Sequence, residues 1–442
     1  MFKKVLIILI LSFSLAYFLF LMPVLNKNKL SVRLIDRLPN AEFIGKLNVL
    51  ELARESSSIF SYYKIPFKDL ASYEFLLSQA KSYGLNLQKP IYIFGNNDSD
   101  FGCLIDVKDK KKLELGIERI KKSSVFKDTI IEKKKVFYNK KDKIFLHYGD
   151  NYLLIYSGES FKGILNSVVN AKPYKISPLW SRFLRDKHFI DEHLIIYSNS
   201  NRLKDVGITT AIFAHDSDSS HFKLKYYLYK PTSFHIKKKD SGLAFNSIEN
   251  ATKSIELHLD ISELKKNLDD PIINEFLKIS KQIRFPIIDF IKAWEGDLCF
   301  VEGGNQTIRE SYIETIVDEN FNTTEVKRFK ETSVPGYSLY FSTNDYLQKF
   351  LDVLLNKGIM TNENDKIRFL FSPLLSIKKS NGYVEFHSGH SPPRLFKNSN
   401  NTIVWKNKGT DFLLNIDTLN QNEISGTIQI PGQVLFKLDK LF

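Results

Sequence analysis

The chain has 442 residues, 43% of them hydrophobic, with 63 Lys and Arg against 50 Asp and Glu, a net charge of +13. That balance excludes a disordered polyelectrolyte and leaves room for two or three domains with sizeable cores. Two cysteines, Cys103 and Cys299, are too few for a disulfide framework, so one bridge or two buried thiols both remain open.

"MFKK" precedes Val5–Leu25, a run of 21 residues without a charge. As a helix it would reach roughly 31 Å, enough for a bilayer core. The rival reading is a cleaved signal peptide. Its apolar region would be shorter and would end in a small-x-small site, whereas this run continues through Phe18, Phe20 and Met22. A retained transmembrane signal anchor is therefore expected, followed by a polar tether over 26–40. Lys27, Lys29, Arg33 and Arg37 outnumber Lys3 and Lys4, which by charge alone puts the following side in the cytoplasm. A large following domain translocates largely regardless of that count, so the expected place is a bacterial inner membrane, single-pass, with the bulk of the chain periplasmic.

After the tether, Phe43–Val49 reads as a strand and Glu51 as a helix entry. "KDLASYEFLLSQAKSYG" is helical and stops at Gly84, and "PIYIFGNND" and "FGCLIDV" are strands. "KDKKKLELGIERIKKS" is amphipathic, with Leu113, Ile117 and Ile120 on one face, and antiparallel strands run from "KKVFYN" to "YLLIYSG". Further strands and a hairpin around "DSDSS" lead to a linker over 231–250. The later half reads strand and helix at "SIELHLDISELKKNL", and a helix broken at Pro286. Strands at "GDLCFVEGG" and "GYSLYFSTND" follow, then a helix ending at Gly358 and two strands joined at Asn381-Gly382. A strand-rich tail closes the chain.

The order of elements repeats. "LNVLEL" at 47–52 matches "LDISEL" at 259–264, and "YLLIYSG" at 152–158 matches "YVEFHSG" at 383–389. Duplication of one unit, roughly 41–160 and 252–390, accounts for both matches. The plainer alternative is a common strand-to-helix junction, with Asn48 or Asp260 as cap and Glu in the first turn. The expected fold is α+β. An N-terminal transmembrane helix precedes two related units with largely antiparallel sheets, 41–245 with additional strands and 246–442 with the tail. "LPNAEFIGKLNVLEL" soon after an anchor, "AWEGDLCF" and duplicated halves resemble a group of bacterial cell-envelope proteins. The resemblance implies an envelope location and carries over no catalytic residue.

Motifs of catalysis and cofactor binding are sparse. Neither G-x-G-x-x-G nor G-x-x-x-x-G-K-[ST] occurs. His188 and His193 in "HFIDEH" are spaced about 140° apart on a helix, wrong for one metal. "HSGHSPPR" (His387, His390) lacks an acid or Cys partner, and "HDSDSSH" (His215, Asp216, Asp218, His221) fits a hairpin tip better than a calcium loop. Ser78/Lys81 and Ser262/Lys265 spell S-x-x-K without the accompanying S-D-N and K-T-G. Asp297 and Cys299 fall in an apolar strand. The reading is a protein without catalysis, cofactor or metal.

Charge is the remaining clue. Residues 108–143 hold thirteen Lys and one Arg against six acids, a net of +8. Export and the scarcity of interleaved aromatics argue against nucleic acid. The expected contact surface for an anionic partner is Lys110, Lys111, Lys112, Lys121, Lys122, Lys133, Lys134, Lys135, Lys140, Lys141 and Lys143. The plainer reading is a solvated face. The leading functional expectation is a binding or scaffolding role, as an accessory subunit of an envelope complex. A handler of an anionic lipid or glycan between the two repeats is the alternative, and an envelope hydrolase a third.

The anchor is directly testable. Intact mass of the protein isolated from its own membranes should include residues 1–25. A mature N-terminus near residue 26 would show a cleaved signal instead.

Overall fold

The computed structural model describes residues 32–62, 73–96, 100–123, 126–140, 143–173, 183, 189, 192–216, 221–230, 235–240, 242–245, 248, 251–317, 321–363, 366–370, 372–389, 393–396, 401–407, 410–420 and 422–431. The run Val5–Leu25 lies outside them. No helix among the described residues is long and apolar enough to cross a membrane.

In chain order, a 3-10 turn at Leu34–Arg37 precedes β1 (Phe43–Leu47), α1 (Val49–Tyr62), α2 (Tyr73–Ser82), β2 (Ile91–Asn96) and β3 (Asp100–Asp106). Then come α3 (Lys110–Ser123), β4 (Phe126–Ile131), β5 (Lys134–Asn139), β6 (Ile144–Tyr148), β7 (Tyr152–Ser157) and α4 (Phe161–Val169). The middle holds β8 (Leu194–Ser198), α5 (Asn201–Asp205), β9 (Thr210–His215), β10 (His221–Tyr229), β11 (Lys237–Lys238) and β12 (Gly242–Phe245). The later half holds β13 (Lys253–Asp260), α6 (Ser262–Lys266), α7 (Pro271–Gln282), α8 (Ile287–Ala293), β14 (Trp294–Val317), β15 (Thr323–Thr343) and α9 (Leu347–Asn356). It ends with β16 (Met360–Glu363), β17 (Lys366–Phe369), β18 (Ser376–Ser380), β19 (Tyr383–His387), β20 (Pro393–Phe396), β21 (Asn401–Asn407), β22 (Thr410–Leu419) and β23 (Glu423–Pro431). This is the mixed α+β, mainly antiparallel class read from the sequence.

The chain divides into two compact units, Met1–Ala41 with Leu77–Ile190, and Glu42–Leu76 with Asp191–Phe442. The boundary expected at 245/246 does not coincide with this division. The reason is strand pairing: β1 pairs β8, and β8, β9 and β10 continue pairwise to β23, so residues 191–245 belong with the later strands. Nor is 231–250 simply a linker, because β11 pairs β13 and β12 pairs β20.

In the first unit the antiparallel order is β2-β3-β7-β6-β5-β4. The amphipathic period of α3 buries Leu113 and Ile117 against Ile105, Leu153, Phe137 and Leu146 on one face of this sheet. On the opposite face Tyr156 meets Phe161 of α4, ring centroids 5.9 Å apart. Gly84, with φ +71, ends the α2 region, as its position in the sequence indicates.

In the second unit the order is β1-β8-β9-β10-β23-β22-β21-β13-β14-β15-β19-β18. Phe341, Phe350, Trp294, Ile291, Leu264 and Phe386 form its main core with α6 to α9. Pro286 caps α8 and breaks the helical stretch as expected. Beyond Glu302, β14 and β15 continue alone as a ribbon, Asn305–Val317 against Thr323–Pro335, with most side chains exposed.

The same sequence of pairings occurs in both halves. β2-β3-β7-β6 has α3 between β3 and β4, and β14-β15-β19-β18 has α9 between β15 and β16. In the first half Leu104 lies between Tyr92 and Leu154, and in the second Tyr340 lies between Cys299 and Glu385. "LNVLEL" and "LDISEL" both run from a strand end into a helix start.

Gly296 carries the bend at the start of β14. Its φ is +97, and an added Cβ would run into the Leu259 carbonyl. Gly296→Ala should lower stability by about 2 kcal/mol or more, measured by chemical denaturation. A change under about 0.5 kcal/mol would contradict this account of the bend.

Candidate functional site

The lysine-rich segment folds into α3 and the hairpins β4–β5 and β5–β6. Ile131 pairs Lys134, so Glu132 and Lys133 are the whole β4–β5 loop, both with positive φ (48° and 59°). Such a two-residue turn matches the twist of the strands but usually recruits Asn and Gly. Here it sets a charged pair at the tip.

The lysines do not form one surface. β5 is six residues long, roughly 17 Å, and separates Lys133 and Lys134 at one end from Lys140 and Lys143 at the other. The first end also holds the β6–β7 turn, where Asp150 accepts a hydrogen bond from Lys110 at 2.7 Å. This brings the first turn of α3, Lys110, Lys111 and Lys112, to the same end of the sheet as Lys133 and Lys134. Three expected contacts are engaged internally. Lys110 pairs Asp150, Lys121 pairs Glu118 and Asp128, and Lys135 lies 3.6 Å from Asp128 and 5.1 Å from the centre of the Phe137 ring. The Lys121 hydrogen bond in turn holds the Asp128 carboxyl below its ordinary value. The side chain of Lys122 and all of Lys141 lie outside the described residues.

The described acids of this segment are occupied. Glu118 and Asp128 hold Lys121, Glu132 holds Lys162 at 2.7 Å, Glu114 bonds the Tyr148 hydroxyl, and Asp109 accepts from the Lys112 amide. Lys111, Lys112, Lys133, Lys134, Lys140 and Lys143 are exposed and have no ion-pair partner among the described residues. The first turn of α3 carries no acid inside the helix. The positive end of a helix repels cations, each typically costing 0.3–1 kcal/mol.

Titratable groups cluster elsewhere, in the second unit. His258 is fully buried between Asp297 (Nδ1–Oδ1, 2.9 Å) and Glu256 (Nε2–Oε1, 3.0 Å), and Lys239 holds the other Asp297 oxygen at 3.0 Å. The Asp297 amide donates to Ser342, and the Trp294 indole to the Asp297 carbonyl. Burial alone would push His258 down, but the two carboxylates outweigh it and its pKa rises. Burial would raise Asp297, but His258 and Lys239 bring it below the usual range. On the neighbouring row, which runs from Glu256 through Cys299 and Tyr340, Glu385 is buried and pushed up by desolvation. A second cluster centres on Glu55, whose two oxygens each meet a histidine, His193 and His215, at 3.2 Å. The structure thus joins one residue from each of two separate histidine motifs, through a helix residue neither motif contains. A third joins Lys230 and His235 to the buried Asp270. In the first cluster the charges meet one another across β13 and β14, which suits cross-bracing of strands, whereas in the second burial pushes His215 down beside Glu55. No group of three such ligands able to hold a metal occurs among the described residues.

Other candidates disperse. His188, Asp218 and His390 lie outside the described residues. Lys265 pairs Glu295 away from Ser262, while Asp260 accepts from the Ser262 amide at 3.0 Å in a turn that precedes Ile261, the N-cap of α6. Both cysteines are free thiols; burial pushes Cys103 up to about 11.

No family model and no curated protein matches the chain. Three crystal forms of TP0453 are similar over part of it. Form IV has a TM-score of 0.31 and 10% identity over 45% of this chain and 81% of the other. Form III has 0.31 and 10% over 47% and 83%, and form I 0.31 and 8% over 47% and 82%.

The His258 cluster gives a pH signature. A raised histidine contributes stability that is complete below its ordinary value of 6.5 and is lost as pH rises through the folded value. A lowered Asp297 contributes above its ordinary 3.8 and is lost as pH falls through its folded value. Relative to His258→Gln, wild type should therefore lose melting temperature as pH rises from 6 towards alkaline values, while His147 and His215, which burial pushes down, act with the opposite sign in both proteins and cancel in the comparison. Parallel profiles for the two proteins would contradict the assignment.

Proposed function

We propose that the chain is a membrane-anchored, non-catalytic binding protein of the cell envelope, an accessory subunit that meets an acidic partner protein. In this reading Val5–Leu25 anchors it, and the halves are two copies of one α+β unit. The matched order of pairings, β2-β3-β7-β6 and β14-β15-β19-β18, supports the duplication. The contact is narrower than the whole lysine-rich segment: Lys111, Lys112, Lys133 and Lys134, gathered at one end of the first unit's sheet.

The carrying observation is the first turn of α3. Lysines stand where the helix dipole disfavours them, while the acids around them are occupied. An external carboxylate would relieve that repulsion. It would find the exposed ammonium groups of these lysines, since Asp109 already caps the helix end itself.

The test compares two ends of one sheet. Lys111→Glu/Lys112→Glu/Lys133→Glu/Lys134→Glu should weaken binding of poly-L-glutamate, an acidic-protein surrogate, by about tenfold or more at low salt and less at high salt. Lys140→Glu/Lys143→Glu, at the opposite end, should change it little. Lys111→Glu alone should raise folding stability by about 0.3–1 kcal/mol while weakening binding, a separation that a purely structural lysine would not show. Equal losses from both ends, or none from either, would overturn the assignment.

A further inference from the structure

Helix α7 has one apolar side that the fold does not cover. Ile273 and Leu277 face the core, yet Phe276, Ile279 and Ile283 are each more than half exposed. Spacings of three and four residues put these three on one side of the helix, next to the buried stripe. A helix needing only to pack on its core would end its apolar arc at that stripe.

Where α7 ends, a groove of about 660 Å³ opens. Leu277, Phe285, Ile287 and Ile288 supply its apolar wall, and Lys281, Arg284 and Lys357 its rim. None of the three cations has an ion-pair partner among the described residues. The one acid lining the groove, Asp289, accepts a hydrogen bond from Tyr346 at 3.0 Å. Arg284 adopts a left-handed φ of +57 at a turn where glycine is usual. The turn is closed by the Phe285 amide donating to Ser280 and the Arg284 amide to Lys281. The fold thus holds a long cation at this corner in a conformation that glycine would adopt more easily.

Cations at helix ends are ordinary, since they offset the dipole. What they do not explain is an exposed apolar stripe beside them. We infer that α7 and its terminal groove form a seat for a bilayer surface of acidic lipid. The stripe would enter the boundary of headgroups and acyl chains, and Lys281, Arg284 and Lys357 would meet lipid phosphates. A bilayer offers an apolar layer and an acidic layer side by side, which is the pairing this corner presents. The charge-free run Val5–Leu25 would keep the chain within reach of one. The inference concerns the second unit and is independent of the lysines in the first.

The test is amide hydrogen exchange of the full-length chain reconstituted in phosphatidylcholine bilayers, with or without phosphatidylglycerol. Amides of Phe276–Phe285 should exchange about tenfold more slowly in the acidic bilayers. The difference should vanish in Phe276→Ser/Ile279→Ser and in Lys281→Glu/Arg284→Glu/Lys357→Glu, while exchange in β14 and β15 near Tyr340 stays as in wild type, showing that the variants fold. Identical exchange in both bilayers would overturn the inference. So would equal protection by inorganic phosphate in neutral bilayers, which would mark a small-anion site. Protection that grows with protein density in neutral bilayers would overturn it as well, by indicating a second copy as the occupant.

Discussion

A charge taken out of water has to meet its opposite, and that constraint organises this protein. In three clusters of the second unit charged groups are held by oppositely charged or hydrogen-bonding neighbours, while the buried Glu385 carboxyl is instead pushed up by desolvation. His258 sits between two carboxylates, Asp297 is shared with Lys239, and Asp270 is held by a lysine and a histidine. Removing one member of such a set leaves the others buried and unmatched, which costs far more than the set contributes over an apolar core. These clusters therefore fix which strands lie together more than they add stability.

The same constraint read outward separates bracing charges from binding charges. In the lysine-rich segment every described acid is already engaged, so the remaining cations are matched by nothing inside. They sit at turns and helix ends, where side chains reach solvent without straining a core. The first turn of α3 adds a sign argument that net charge alone cannot give, because the backbone itself opposes lysine there. A solvated face would be free to place acids at these positions. The groove beside α7 repeats the pattern with an apolar neighbour.

Much of the fold was legible in the sequence. Period-two and helical patterns placed the strands and helices of both halves, and Gly84, Pro286, Gly358 and Asn381-Gly382 marked stops and turns that the structure keeps. The repeated words located two strand-to-helix junctions. Domain limits were not legible, because pairing of β1 with β8 is a long-range choice that no local pattern records. The β14–β15 ribbon went unread, although the β-branched and aromatic residues of "TIRESYIETIV" and "TTEVKRF" are its signal. The His258 cluster shows the limit most plainly. Alternation puts Glu256 and His258 on one face of β13, but only the register with β14 brings Asp297 to them. Lysine counts likewise revealed an excess and could not show that β5 would separate it into two ends.

The central claim is that unmatched lysines at one end of the first unit's sheet meet carboxylates of another protein. Zero-length carbodiimide coupling in native membranes, followed by peptide mapping, joins only amines and carboxylates already in contact. The account predicts products linking Lys111, Lys112, Lys133 or Lys134 to Asp or Glu residues of a second protein. Products confined to internal pairs such as Lys110–Asp150 and Lys162–Glu132, with none from those four lysines to another chain, would contradict it.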